Sequence, residues 1–141
     1  MQMPDVNVLV YAHRQESPEH QRYADWLTKL ATGPEPFGIS ELVLHGFLRL
    51  VTSPRIFSPP STLEQALRFI DALLSLPSCN LMRPGPQHWN IFRELCGSTR
   101  LKGPLIADAV HAALAIESGC EWVSADTDFA RFAPRLRWAH L

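Results

Sequence analysis

The chain has 141 residues and a mass of 15.9 kDa, the size of one ordinary domain, with 46% hydrophobic and 19% charged residues. That composition excludes a disordered, collagenous or low-complexity chain. With 13 basic against 14 acidic side chains the formal charge is −1, which excludes a histone-like basic coat but leaves room for a local patch. The three cysteines, Cys79, Cys96 and Cys120, are odd in number, widely spaced and without a C-x-x-C. This argues against a disulfide framework or a zinc site and suits a reducing cytosol. The opening MQMPDVNVLVYAHR lacks a basic n-region and carries Asp5 where a secretory signal is apolar. No uncharged run approaches the ~18 residues of a membrane span. The expectation is a cytoplasmic protein without a membrane partner, folded as a single domain over 1–141.

In chain order, Val6 to Tyr11 is a short apolar, β-branched run that predicts a buried strand. Ser17-Pro18-Glu19 then reads as a helix start, with a capping Ser, Pro at the first position and an acid in the first turn. Tyr23, Trp26, Leu27 and Leu30 follow at helical spacing. Phe37-Gly38-Ile39 is a second strand. Ser40 can cap the next helix, which carries Leu42, Val43, Phe47, Leu48, Leu50 and Val51 before Pro54 stops it. Ser61-Thr62-Leu63-Glu64 matches a capping box, with a helix running to about Leu76. Cys79 to Met82 reads as a third strand, His88 to Leu95 as a helix, and Leu105 to Glu117 as a strong helix closed by Gly119. Cys120 to Ser124 and Arg137 to His140 are the last strands. Strands alternating with helices over so short a chain predict an α/β fold around a mostly parallel sheet.

The acids fall in telling places. There are six aspartates. Asp126 and Asp128 follow a strand directly, and ligands of open parallel sheets bind beyond the carboxyl ends of strands. Asp5 adjoins the first strand. Glu41 opens a helix leaving the second strand. Asp108 sits near the start of LIADAVHAALAI, and acids in apolar surroundings are usually paired or bound to metal. Taken singly, Glu41 and Asp108 also read as acids complementing helix dipoles, and Asp126 and Asp128 as turn formers. Brought to one edge, Asp5, Glu41, Asp108 and Asp126 would repel, by about 4 kcal/mol per pair at 4 Å and an effective dielectric near 20. A cation among them, or bound protons, would relieve this. Oxygen ligands without His or Cys select Mg²⁺ or Mn²⁺, and such a site suits metal-assisted phosphodiester hydrolysis.

The segments PDVNVLVYAHR at 4–14, SELVLHGFLRLVTSPRIF at 40–57, PGPQHWNIFRELC at 84–96, IADAVHAALAIESGCEWVSADTDFARF at 106–132 and LRWAHL at 136–141 give the sequence a family likeness. In this ordered set, ending in S-x-D-x-D-F, the chain resembles PIN-domain nucleases, and among them the VapC toxins of bacterial VapBC toxin–antitoxin modules. The resemblance spans essentially the whole chain. It implies a three-layer α/β/α sandwich and a Mg²⁺-dependent endoribonuclease (Mn²⁺ an alternative) acting on structured RNA such as tRNA or rRNA. It implies a VapB-type antitoxin partner and a homodimer. By the same resemblance Asp5, Glu41, Asp108 and Asp126 are the catalytic, metal-holding acids. Asp128 is an accessory acid, Ser124 matches the family's Ser/Thr two residues before the last core acid, and Asn7 orients Asp5 by a hydrogen bond. Two positions depart from the pattern: Pro104 stands where relatives often have Asn, and Thr127 where a basic residue is common.

The expected chemistry is in-line attack by a metal-activated water, leaving a 5′-phosphate and a 3′-hydroxyl. Asp5, Asp108 and Asp126 would hold one ion, and Glu41 a second ion or the attacking water. Arg14, Arg49, Arg55, Arg131 and Arg135 are candidate phosphate contacts. His45 and His111, at i,i+4 from Glu41 and i,i+3 from Asp108, read as packing residues. The four tryptophans read as core or dimer-interface residues. Asn7 replaces the second aspartate an aspartyl phosphatase needs. There is no G-x-G-x-x-G after the first strand and no phosphate-binding G-x-x-x-x-G-K-[ST]. The rival reading is a catalytically silent PIN-like protein that binds RNA or a partner.

Overall fold

A computed structural model describes residues 1–141. In chain order the elements are β1 (Gln2–Pro4), α1 (Val6–His13), α2 (His20–Thr32), β2 (Phe37–Ser40), α3 (Glu41–Val51), α4 (Leu63–Leu74), β3 (Cys79–Met82), α5 (His88–Thr99), α6 (Leu105–Glu117), β4 (Glu121–Ser124), a 3₁₀ helix (Thr127–Phe132) and β5 (Trp138–His140). Every strand pairing is parallel. The strands form two ladders, β1-β4-β5 and β2-β3, with β2 lying beside β1. Helices α1 to α4 pack on one another, and α5 packs on α6, giving the three-layer α/β/α arrangement. Because all strands run the same way, their carboxyl ends share one edge, and that edge carries the acids.

The first strand is where sequence and structure part. Val6 to Tyr11, expected as a strand, belongs to helix α1, and the strand is the three residues before Asp5. Asp5 caps that helix through a 2.6 Å hydrogen bond from the Val6 amide. Val8, Leu9, Val10 and Ala12 are all buried, so the helix shows no polar face. A helix enclosed on most sides has the same apolar signature as a buried strand. The correction moves Asp5 from the start of a strand to the carboxyl end of one.

Other boundaries shift for local reasons. Helix α2 begins at His20, without the expected Ser17 cap, and Glu19 turns the chain in a left-handed conformation. The capping box before α4 is Thr62 with Gln65, one residue later than expected. Ser61 is buried and instead bonds His13 and Arg14. Helix α5 runs past Leu95 to Thr99. Gly119, with φ +64°, turns the chain after α6 as expected.

One cluster of buried side chains fills the interior, with Trp122, Phe37, Phe47, Phe129, Met3 and Leu9 among the largest. Ala109, Ala112, Ala113 and Ala115 are fully buried on α6, small enough to let that helix approach the sheet and α5 closely. This fixes the depth of Asp108, one residue before the first of them.

Candidate metal centre

The parallel register sets the site. Met3 pairs with Trp122 and Pro4 with Val123, so Asp5 and Ser124 come next at the same edge. The Asp5 amide donates to the Val123 carbonyl at 2.8 Å, one more rung that fixes its backbone.

Asp5 is buried, 4% exposed, and held from three sides. Val6 N–H donates to one carboxylate oxygen at 2.6 Å. The other accepts from Ser124 Oγ at 2.6 Å and Asn7 Nδ2 at 3.0 Å. Asn7 also donates to Ser124 Oγ at 3.1 Å and accepts from the Ala125 amide at 3.1 Å. The expected hydrogen bond from Asn7 to Asp5 is present, and Asn7 also stitches the end of β1 to the end of β4. Burial pushes the Asp5 carboxyl up to about 6; the bonds from Ser124 and Val6 oppose this, and the nearby charges of Asp108 and Asp126 add to it.

Asp126 receives its place from the turn after β4. Its amide donates to Ser124 Oγ at 2.9 Å, and its carboxylate accepts from the Asp128 amide at 2.8 Å, capping the 3₁₀ helix. The turn-forming reading of these acids holds. Asp108 lies in the first turn of α6, where no side chain caps the helix because Pro104 occupies that position. Burial raises the Asp108 carboxyl above the ordinary range, with the charges of Asp126 and Asp128 adding to the rise and Arg131 opposing it.

Asp108, Asp126 and Asp128 each place a carboxylate oxygen within 4.8 Å of the others. With Asp5 close enough to feel Asp108 and Asp126, four like charges gather at one edge. The donors are all carboxylate oxygens, which fits a hard divalent cation rather than zinc.

Glu41 stands apart from that trio. It is the first residue of α3, beyond the Ser40 cap, which accepts from the Val43 amide at 3.3 Å. Its carboxylate is ion-paired with Arg83. Arg83 was not among the residues the sequence singled out. The signal was available, since it directly follows the third strand as Glu41 follows the second. The other arginines divide. Arg131 holds Asp128 at 3.1 Å, beside the trio. Arg14 closes the far end of α1, about 13.5 Å of helix rise from Asp5. There it bonds Ser61, Pro59 and Glu16 and covers the Phe57 ring, so it is a structural residue and not a contact near the site. Arg135 pairs with Glu94 at 2.6 Å. Arg49, Arg55 and Thr127 are exposed. His45 is also exposed, and His111 stacks on Trp122 with burial lowering its pKa to about 4, so neither belongs to the acidic group.

The PIN domain family model matches residues 3–134. The chain is 48% identical over 136 residues to Ribonuclease VapC43 of Mycobacterium tuberculosis, covering 96% of this chain and 92% of that protein. The chain belongs to the PIN-domain family, within the VapC ribonucleases. It is also 43% identical over 129 residues to Ribonuclease VapC25 of the same organism, covering 92% and 91% of the two chains. The VapBC2 structure from Rickettsia felis, bound to a DNA fragment from their promoter, shares the fold with a TM-score of 0.73 at 22% identity, covering 99% of this chain and 98% of that one.

Proposed function

We propose that this protein is a Mg²⁺-dependent endoribonuclease, the toxin of a type II toxin–antitoxin module. On this reading it is a single cytoplasmic domain over 1–141, restrained by a VapB-type antitoxin and acting as a homodimer on structured RNA such as tRNA or rRNA. The observation that carries the reading is the gathering of Asp108, Asp126 and Asp128 within 4.8 Å, with buried Asp5 near enough to feel the charges of Asp108 and Asp126. Packing so many carboxylates together is unfavourable without a cation, and no His or Cys joins them. That the relatives are ribonucleases supports RNA as substrate, and the structural neighbour's VapBC composition supports an antitoxin partner. No helix is long and apolar enough to cross a membrane.

In this reading Asp5, Asp108 and Asp126 hold the cation, with Asp128 as a further ligand and Glu41 at the neighbouring strand end. When bound, Mg²⁺ supplies water of lowered pKa and charge neutralisation at the scissile phosphate. The chain contributes pre-positioning. Ser124 and Asn7 lock the Asp5 carboxylate in place, and the Asp128 amide locks Asp126, so little reorganisation remains for the reaction. Arg131, beside Asp128, is placed to meet a phosphate of the bound strand.

The test is incubation of purified, antitoxin-free protein with total bacterial tRNA and rRNA in Mg²⁺, in Mn²⁺ and in EDTA, beside Asp108→Asn. Discrete fragments with 5′-phosphate ends, present only with cation and absent in the variant, are expected. Fragments ending in 2′,3′-cyclic phosphate would refute the mechanism. No cation binding by calorimetry, together with no cleavage, would replace it with a binding-only function.

A further inference from the structure

Strands β2 and β3 end in register at Ser40 and Met82, so the next residues, Glu41 and Arg83, face each other at the carboxyl edge. Their ion pair follows from that register. The two have unequal holds. The Arg83 guanidinium makes this one polar contact, and its side chain is 63% exposed. Arg131, the other arginine beside the acids, is tied both to the Asp128 carbonyl at 2.8 Å and to its carboxylate. The backbone around Arg83 is fixed on both sides. The β3 ladder precedes it, and after it the Glu117 carboxylate accepts from the Gly85 and Gln87 amides, each at 2.8 Å. A side chain at Gly85 would stand 2.6 Å from that carboxylate, so the loop is closed tightly onto α6. Arg83 can therefore change partner by swinging its own side chain, without moving the loop.

We propose that Arg83 is an RNA-positioning residue stored on Glu41, and that it transfers to a phosphodiester of the RNA backbone when the Glu41 carboxylate is taken up or neutralised. The inference rests on the ribonuclease reading above and adds to it a residue and a handover. Exposed ion pairs are weakly held, so little opposes the exchange. A guanidinium presents a fork of donors that matches phosphate. A strand approaching an edge lined by carboxylates is met there by the Arg83 guanidinium, and a divalent ion, were Glu41 to share it, would weaken the hold of Glu41 on Arg83.

The experiment uses a fluorescein-labelled RNA hairpin and full-length protein in EDTA, where cleavage does not interfere. Affinity is measured against KCl concentration for wild type, Arg83→Gln, Glu41→Gln and the double variant, each checked for folding by circular dichroism. Arg83→Gln alone is expected to change affinity less than about twofold, because the residue is occupied by Glu41. Glu41→Gln is expected to tighten binding severalfold and to steepen the salt slope by about 0.7–0.9, one phosphate contact. Adding Arg83→Gln to it is expected to abolish both effects. Equal losses from Arg83→Gln with and without Glu41→Gln would overturn the handover. Unchanged slopes in all four proteins, while the wild type still binds RNA and cleaves it with Mg²⁺, would remove Arg83 and leave the ribonuclease reading standing. Absence of RNA binding by every protein, in EDTA and with Ca²⁺ in its place alike, would overturn both.

Discussion

Ser124 is the residue on which the site's geometry turns, and Ser124→Ala tests that reasoning. Its hydroxyl is fully buried and fully used, donating to Asp5 at 2.6 Å and accepting from Asn7 Nδ2 at 3.1 Å and the Asp126 amide at 2.9 Å. The bond to Asp5 is the largest influence holding that carboxyl down against burial, and with it the group stands at about 6. Alanine removes it, so the carboxyl rises further, while Asn7 and the Asp126 amide each lose an acceptor. A hydrogen bond to a charged group is worth about 1.5–3 kcal/mol and a neutral one about 1, so a loss on the order of 2–4 kcal/mol is expected at pH 7.5. At pH 4.5 the wild-type Asp5 is already protonated, the charge-assisted part is gone, and the gap between the proteins narrows. Ser124→Thr keeps the oxygen and stays near wild type. Urea unfolding of the metal-free proteins at the two pH values reads the stability. Mn²⁺ titration calorimetry between pH 5.5 and 8 reads the ligand. Wild-type affinity climbs as pH passes about 6, because the ligand must lose its proton, and the alanine variant's climb lies at higher pH. A Ser124→Ala protein within about 0.5 kcal/mol of wild type, with a superimposable Mn²⁺ profile, would refute the argument.

The sign of Asp5's own contribution gives a second prediction. Its folded value of about 6 exceeds the unfolded 3.8, so the folded state binds the proton more tightly. Metal-free stability from this group is therefore highest below pH 3.8 and falls by about 3 kcal/mol as pH rises to about 6, seen as a declining urea midpoint. Saturating Mn²⁺ should restore stability at pH 7.5, by about 2.7 kcal/mol at a hundredfold excess over Kd, and do little at pH 4.5. Asp108→Asn removes one charge from the crowded edge, so its metal-free melting temperature at pH 7.5 should exceed wild type while the Mn²⁺ increment disappears; scanning calorimetry with and without Mn²⁺ checks both. Arg14→Ala should lose about 1–2 kcal/mol, through the bonds to Ser61 and Pro59 and the Phe57 contact, without altering the salt slope of RNA binding. Thr62→Ala should lose about 1 kcal/mol by removing the α4 cap, with the specific cleavage rate unchanged.

Sequence reading reached the site more fully than the elements around it. Helix α6 was legible because an alanine-rich run bounded by Pro104 and Gly119 has few other solutions. Strand β4 and the turn of Asp126 and Asp128 were legible because acids directly after an apolar strand mark both a turn and a strand end. Helix α1 was misread because it is buried on most sides, and burial erases the period that separates a helix from a strand. The split into two ladders and the Thr62 register depend on packing between distant segments, which no local window contains. Arg83 had a local signal, its place directly after the third strand, but its partner Glu41 is set by the pairing of β2 with β3.

The misread strand left the acid in place, and the reason is topological. Whether Val6 to Tyr11 is strand or helix, the apolar segment and Asp5 stay together, and a parallel sheet sends every strand's carboxyl end to one edge. The structure moved the start of the strand four residues earlier, and Asp5 became the strand-end residue that caps the next helix. That position does two jobs at once. Capping holds one carboxylate oxygen against the Val6 amide, while Ser124 and Asn7 hold the other. A carboxylate so held cannot turn away from Asp108 and Asp126 to relieve the repulsion. Its remaining ways out are to take up a proton or to share a cation. The value of about 6 comes first from burial, with that repulsion adding to it, and a shared cation would answer both. The hydrogen bonds from Ser124 and Val6 work against that burial, favouring the charged carboxylate and fixing it in the orientation a shared cation would need.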